Sequence, residues 1–170
     1  MHTILYMTTS IDGKTTRDAD NVDWVEVTDI ERMDTLMKEC GVMMMGSKTF
    51  ESFGEDLPND QALQVVLTSN PDYLKLSLEN VIFTKDKPRE VLEKLDIDGF
   101  AKVLLAGGST LNTSMMDEDL IDEIRLIVKP LVIGKGKPLF NDACEIYKFE
   151  LREITKLNSG SVELHYTRKF

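Results

Sequence analysis

Cysteine, histidine and tryptophan are scarce in this sequence of 170 residues, which holds two, two and one of them. Cys40 and Cys144 form no Cys-x-x-Cys and repeat no Cys/His spacing, so neither a disulfide framework nor a zinc site is encoded, and both read as small buried apolar residues. His2 and His165 lie far apart with no ligand pattern beside them, which leaves no metal site and no histidine-activated nucleophile to assign. Basic residues are also in deficit: 20 Lys and Arg against 30 Asp and Glu give a net charge of −10, a field that repels polyanions, so no nucleic-acid partner is expected. Long hydrophobic runs are missing. Val42 to Met45 and Val103 to Ala106 fall far short of the roughly 20 residues of a membrane-spanning helix, and Met1 to Leu5 lacks the basic region and cleavage site of a secretory signal. A soluble cytoplasmic protein with no membrane contact is expected. With 42 % hydrophobic residues and no repeat, low-complexity tract or linker, residues 1–170 read as one domain with a sizeable core.

The chain alternates strand and helix signals. Thr3 to Thr9 reads as a strand, and the polar stretch Ser10 to Val27, which contains Asp12-Gly13 and Trp24, reads as a functional loop. Thr28 and Glu31 have capping-box spacing, and Ile30, Met33, Met37 and Cys40 recur at helical intervals, predicting a helix from about Asp29 to Glu39. Gly41 ends it, Val42 to Met45 reads as a strand buried on both faces, and Gly46-Ser47 opens a short helix through about Phe53. Strands follow at Gln64 to Thr68, Asn80 to Phe83 and Lys102 to Ala106, with helices at Pro88 to Leu95 and after Gly107-Gly108-Ser109. Ile124, Leu126 and Val128 alternate before Pro130, and Phe149 to Leu157 and Val162 to Arg168 flank the turn residues Asn158-Ser159-Gly160. The pattern is α/β, a mostly parallel sheet with an antiparallel C-terminal hairpin.

Two glycine turns carry the functional signal. Gly46-Ser47-Lys48-Thr49 and Gly107-Gly108-Ser109-Thr110 both follow a strand and open a helix, at the sheet edge where α/β proteins bind ligands. Helix amides, short hydroxyls, close backbone approach at glycine and the Lys48 ammonium together suit a ligand with several phosphates. The same glycines would also serve merely to start a helix tightly. Neither turn matches Gly-x-Gly-x-x-Gly or the Walker pattern, which excludes an ordinary Rossmann or ATPase site.

In order and spacing these segments resemble the dihydrofolate reductase-like fold family. Met45-Gly46-Ser47-Lys48-Thr49-Phe50-Glu51 resembles the segment of dihydrofolate reductases that receives NADPH phosphates. Ser10-Ile11-Asp12-Gly13-Lys14, Gly107-Gly108-Ser109-Thr110-Leu111, Leu120-Ile121-Asp122-Glu123, and Pro130 with Gly134-Lys135-Gly136-Lys137-Pro138-Leu139-Phe140 are similar to the reductase half of bacterial riboflavin-biosynthesis enzymes, the RibD C-terminal domain. The chain departs from that branch at Ala106, where an acidic residue usually precedes the Gly-Gly pair, and it has no zinc deaminase motif. It departs from dihydrofolate reductases in having Val25-Glu26-Val27 rather than a Leu-Pro after Trp24.

The resemblance implies a three-layer α/β/α domain, a homodimer, and an NADPH-dependent reductase that passes hydride to a pyrimidine, pterin or related small heterocycle. Enzymes reducing 5-amino-6-(5-phosphoribosylamino)uracil or dihydrofolate are the nearest in kind; a non-catalytic nucleotide-binding or interaction module is the alternative. Cofactor contacts would come from Gly46, Ser47, Lys48, Thr49, Gly107, Gly108, Ser109 and Thr110, with Thr68, Ser69 and Asn70 at the adenosine 2′-phosphate. Asp29 is similar in placement to the substrate-binding carboxylate of dihydrofolate reductases, and a helix-dipole role would equally explain an aspartate there. Asp34 on the same helix is its rival for the substrate, Asp12 is a second candidate acid or a turn residue, and Trp24 would cap the substrate cleft or pack. The alternating Ile124, Leu126 and Val128, with the later strands, are the candidate dimer surface.

Overall fold

The computed structural model describes residues 1–142, 145–157 and 160–169. Cys144 and the turn residues Asn158 and Ser159 lie outside the described residues. The strands are β1 (His2–Thr9), β2 (Val42–Gly46), β3 (Leu63–Leu67), β4 (Val81–Thr84), β5 (Lys102–Leu105), β6 (Glu123–Val128), β7 (Phe149–Lys156) and β8 (Val162–Arg168). The helices are α1 (Val27–Cys40), α2 (Ser47–Ser52), α3 (Pro88–Ile97) and α4 (Ser109–Asp117). One mixed sheet holds the eight strands in the order β4-β3-β2-β5-β1-β6-β8-β7. β1 to β6 pair in parallel, and β8 and β7 are antiparallel.

The interior strands are apolar on both faces because both faces are covered. Leu5, Val42, Met44, Val103 and Leu105 point to a core layer with Val91, Leu92 and Leu95 of α3 and Leu111, Met115 and Met116 of α4. Their neighbours Ile4, Tyr6, Met43, Met45 and Leu104 point to the opposite layer with Met33, Met37 and Cys40 of α1. Met43, Met44 and Met45 are all fully buried. Each such side chain contributes roughly 1.5–3 kcal/mol, which explains a continuous apolar run where one exposed face would give alternation.

Helix α1 begins earlier than its sequence signal. Glu26 is the N-cap and its amide donates to Asp29 Oδ2 at 3.1 Å, so the capping box is Glu26/Asp29 and not Thr28/Glu31. The tertiary partners of Asp29 decide between these two nearly equivalent frames. Ile30, expected on the apolar stripe, stands exposed. Of the residues expected at a dimer surface, Ile124 is buried in the α3/α4 layer of its own chain, while Leu126, which packs against that layer, and Val128 are half-buried. The exposed apolar side chains of the C-terminal strands are Leu151 and Ile154 of β7.

Register sets the site. The carboxyl ends of β1, β2, β3, β5 and β6 lie along one edge, with Thr9 beside Val128 and Gly46 beside Leu67. The loop after β1, both glycine turns and residues 68–70 therefore converge there.

Candidate active site

A cavity of about 780 Å³ lies at this edge, within the size range of small-molecule and cofactor sites. Gly46, Ser47, Lys48, Thr49, Thr68, Ser69, Asn70, Gly108, Ser109 and Thr110 all line it. Gly107 does not; it sits behind the wall with φ +86°, and a Cβ there would lie 3.0 Å from Met7 Sδ. The Gly46 amide donates to the Gly107 carbonyl at 2.9 Å and stitches the two turns together. Gly108 needs no positive φ, and a Cβ on it would approach Thr49 Oγ1 at 3.5 Å inside the cavity.

The other wall comes from residues distant in sequence. Thr15, Thr16, Asp20, Val22, Lys137 and Asn141 face the turns, and Met7, Ala106 and Leu111 provide an apolar floor. Segment 133–139 is strapped to the loop after β1: the Thr15 amide donates to Lys137 O at 2.8 Å, and the Asp18 amide to Lys135 O at 2.8 Å. Gly136 is required in this strap, since a Cβ on it would lie 1.8 Å from Thr16 O. Ser109 Oγ donates to Pro138 O and Asn112 Nδ2 to Leu139 O at 3.0 Å, which anchors the strap to α4.

Charge in the cavity opposes that of the chain. Its charged lining residues are Lys48, Lys137 and Asp20, two cations against one anion, in a protein of net charge −10. Lys137 bonds Asp20 and holds that carboxyl below its usual range. With Lys137 paired to Asp20, the excess of one positive charge in the lining is that of Lys48, a charge that suits an anionic ligand.

The candidate acids separate. Asp29 is buried, 1 % exposed, at the N-terminus of α1, with Oδ2 3.1 Å from the Lys129 ammonium. Lys129 is itself 3 % exposed and also contacts Glu26 Oε2 at 2.6 Å. Burial works to lower the Lys129 pKa, and the hydrogen bonds to Glu26 and Asp29 outweigh it, so the ammonium is held charged. The Tyr6 hydroxyl donates to the Asp29 carbonyl at 2.7 Å. Asp29 Oδ1 is buried with no hydrogen-bond partner, as is the indole Nε1 of the half-buried Trp24. Asp12 is exposed and its carboxylate accepts from the amides of Ile133 at 3.0 Å and Gly134 at 2.7 Å. The Ser10 hydroxyl and those two amides hold its carboxyl down at about 2, so Asp12 remains an anion that anchors the strap and does not line the cavity. Asp34 is half-buried on α1, and it, Asp29 and Trp24 all lie outside the lining.

The family model for the RibD C-terminal domain matches residues 1–162. The chain belongs to that family. Among curated relatives it is 28 % identical to the uncharacterized protein YwjB of Bacillus subtilis, covering 98 % of this chain and 97 % of the relative. It is 24 % identical, over 78 % of this chain and 79 % of the relative, to the 2,5-diamino-6-ribosylamino-4(3H)-pyrimidinone 5′-phosphate reductase of Methanothermobacter thermautotrophicus. Among solved structures, a putative riboflavin biosynthesis protein of a Shewanella species superposes with a TM-score of 0.80 at 25 % identity, covering 100 % of both chains. A dihydrofolate reductase of Enterococcus faecalis, solved with NADP(H), superposes with a TM-score of 0.76 at 16 % identity, covering 99 % of this chain and 97 % of that one. The fold is thus dihydrofolate reductase-like, and the family is related to pyrimidine reductases. Among the described residues no helix is long and apolar enough to cross a membrane, and no group of His, Cys, Asp and Glu is placed to hold a metal ion.

Sequence reasoning missed Lys129 and Asn141, and it named Lys137 only within the Gly134–Phe140 resemblance. Lys129 stands directly after an apolar strand and before Pro130, and its pairing with Asp29 and Glu26, 100 and 103 residues away, had no local signal.

Proposed function

We propose that this member of the RibD C-terminal domain family is an NADPH-dependent reductase acting on a small nitrogen heterocycle of the pyrimidine or pterin kind. The observation that carries the reading is the cavity itself: ten of the residues expected at the cofactor line one space with a positive lining. The donor set fits a dinucleotide phosphate. The turn at Gly46–Thr49 and the start of α4 offer hydroxyls and close backbone approach for the diphosphate, and Lys48 with Thr68, Ser69 and Asn70 suits the 2′-phosphate.

Bound there, the reduced nicotinamide supplies the hydride; the chain supplies alignment, exclusion of water and a place for the substrate. Met7, Ala106, Leu111 and Val22 give the apolar lining that keeps water from the reacting atoms. Asp29, at the head of α1 and outside the cavity lining, is the carboxylate we assign to the substrate, with Trp24 five residues before it. Asp12 is given the strap and no chemical step. The heterocycle of the Methanothermobacter reductase, a ribosylaminopyrimidinone 5′-phosphate, is the first substrate to test.

The test is hydride transfer, read as loss of NADPH absorbance with a panel of pterins and aminopyrimidines, phosphorylated and not. Turnover of at least one ring is expected. Tight NADPH binding with no turnover across the panel would make the chain a nucleotide-binding module, and failure to bind NADPH would remove the cofactor assignment.

A further inference from the structure

We propose that the Lys137–Asp20 ion pair is a latch on an anion site: the Asp20 carboxylate holds the place on Lys137 that a phosphate group of the ligand takes, and competes with it. The inference rests on the cavity receiving a phosphate-bearing ligand, as the functional reading above has it, and adds a residue that sets how tightly such a ligand is held.

The latch is built from two segments that meet only in the fold. Lys137 lies in the strap, and its backbone is held in both directions: its amide donates to Thr16 Oγ1 at 3.1 Å and its carbonyl accepts from the Thr15 amide at 2.8 Å. The next residue, Pro138, accepts from the Ser109 hydroxyl, which fixes Lys137 beside the start of α4. Asp20 lies in a tight turn of the loop after β1, where Arg17 and Asn21 exchange both backbone hydrogen bonds, at 2.7 and 3.1 Å. Asp20 and Lys137 both line the cavity, and so does Lys48 of α2. Lys137 bonds Asp20, and the charges of Lys137 and Lys48 add to that bond in holding the carboxyl below its usual range. One carboxylate thus answers to two lysines from two segments of the cavity wall.

An incoming anion can open this pair. The Asp20 side chain is 61 % exposed and that of Lys137 39 %, so theirs is a surface ion pair of the kind that holds weakly. A phosphomonoester or a diphosphate presents about two negative charges against one on the carboxylate, and makes strong charge-assisted hydrogen bonds to an ammonium. Rotation of the Asp20 side chain alone releases Lys137, because the bonds that fix the strap and the turn use neither the carboxylate nor the ammonium. One anion then replaces another on Lys137, and the freed carboxylate passes into water. Without a ligand the latch gives the Lys137 ammonium a partner; with one it costs affinity, so Asp20 tunes binding through Lys137 and touches no reacting atom.

The experiment is calorimetric titration of the full chain with two probes that separate the sources of the phosphate: ADP, which carries the diphosphate of the cofactor, and ribose 5-phosphate, a sugar phosphomonoester, with NADPH titrated in parallel. Asp20→Asn should tighten at least one probe about threefold or more, the scale of an exposed ion pair; a gain for ADP assigns the latch to the cofactor and a gain for ribose 5-phosphate alone assigns it to the substrate. The gain should vanish when Asp20→Asn is combined with Lys137→Met. Asp23→Asn, which removes the same charge from the same loop at a residue outside the lining, should leave both affinities at the wild-type value. A gain that persists without Lys137, or that Asp23→Asn reproduces, overturns the inference, since either is an effect of net charge alone. NADPH binding with no gain for either probe overturns the latch and leaves the cofactor reading standing. A gain for ribose 5-phosphate in a chain that binds neither ADP nor NADPH sustains the latch and overturns the cofactor assignment, and no binding of any of the three by any variant overturns both.

Discussion

Asp29→Asn is the most informative single change, because the ion pair that the structure gives Asp29 and the substrate role proposed for it respond differently. The substitution keeps size and one acceptor and removes the charge. Asp29 and Lys129 are 1 % and 3 % exposed, so this is a buried pair, and removing one partner of such a pair costs about 3–5 kcal/mol by leaving the other charge uncompensated. Here the loss is smaller, since Glu26 stays 2.6 Å from the ammonium and the Glu26 amide still finds an acceptor. An expected cost of about 2–3 kcal/mol follows, a large share of the roughly 5–15 kcal/mol that holds a domain together. For a chain of this length that is a fall of roughly 4–12 °C in Tm, from about 2–4 °C per kcal/mol. Urea unfolding at neutral pH measures it directly. A double-mutant cycle with Lys129→Met then isolates the pair, and coupling of about 1 kcal/mol or more is expected for bonded buried partners. The second task is read by kinetics: NADPH affinity should stay at the wild-type value while kcat/KM for the heterocycle falls roughly 10²- to 10⁴-fold. An Asp29→Asn protein with the wild-type urea midpoint would refute the energetic argument, and one with wild-type turnover would refute the assignment to substrate.

Lys48→Ala should weaken NADPH about 10- to 100-fold, the size of one charge-assisted contact, with NADH little changed and ligand-free Tm intact because the side chain is exposed; equal loss for both cofactors would remove the 2′-phosphate assignment. The two adjacent glycines should part company. Gly107→Val forces a branched residue to φ +86° against Met7 and should cost about 1–3 kcal/mol of stability for the backbone alone, whereas Gly108→Val should fold normally and lose cofactor affinity; denaturant melts and NADPH titrations separate them. Asp12→Asn should loosen the strap, seen as faster hydrogen exchange at the amides of Ile133 and Gly134. Since the folded Asp12 carboxyl is depressed to about 2, its contribution is full above the ordinary carboxylate value near ~4 and fades as pH falls towards 2; protection in the wild type should follow that window, and pH-independent protection would contradict it.

The layered fold was legible because its signals are local. Strand β2 announces burial on both faces through four consecutive apolar residues, and α3 announces its start through Pro88, its N-terminal residue. The glycine turns were legible for the same reason, since strand, glycine and hydroxyl-rich helix start are adjacent in sequence. Where a local signal had a near-equal rival, position was lost: Thr28/Glu31 and Glu26/Asp29 both have capping spacing, and the long-range bond from Lys129 favours the second frame. Ile124, expected at a surface, is buried against the α3/α4 layer, because alternation along a strand identifies an apolar face without saying what covers it.

By itself, then, the sequence determined the α/β class, the core faces and the two turns, all set by hydrophobic periodicity and by backbone preferences that act over a few residues. Tertiary structure alone decided that Gly107 is wall and Gly108 is lining, that Asp12 anchors the 133–139 strap, and that Lys137 brings positive charge to the cavity. It also decided that Lys129, at the end of β6, closes on Asp29. Those outcomes depend on which strand ends lie side by side, and parallel pairing brings together groups a hundred residues apart whose charges have no counterpart in any local pattern.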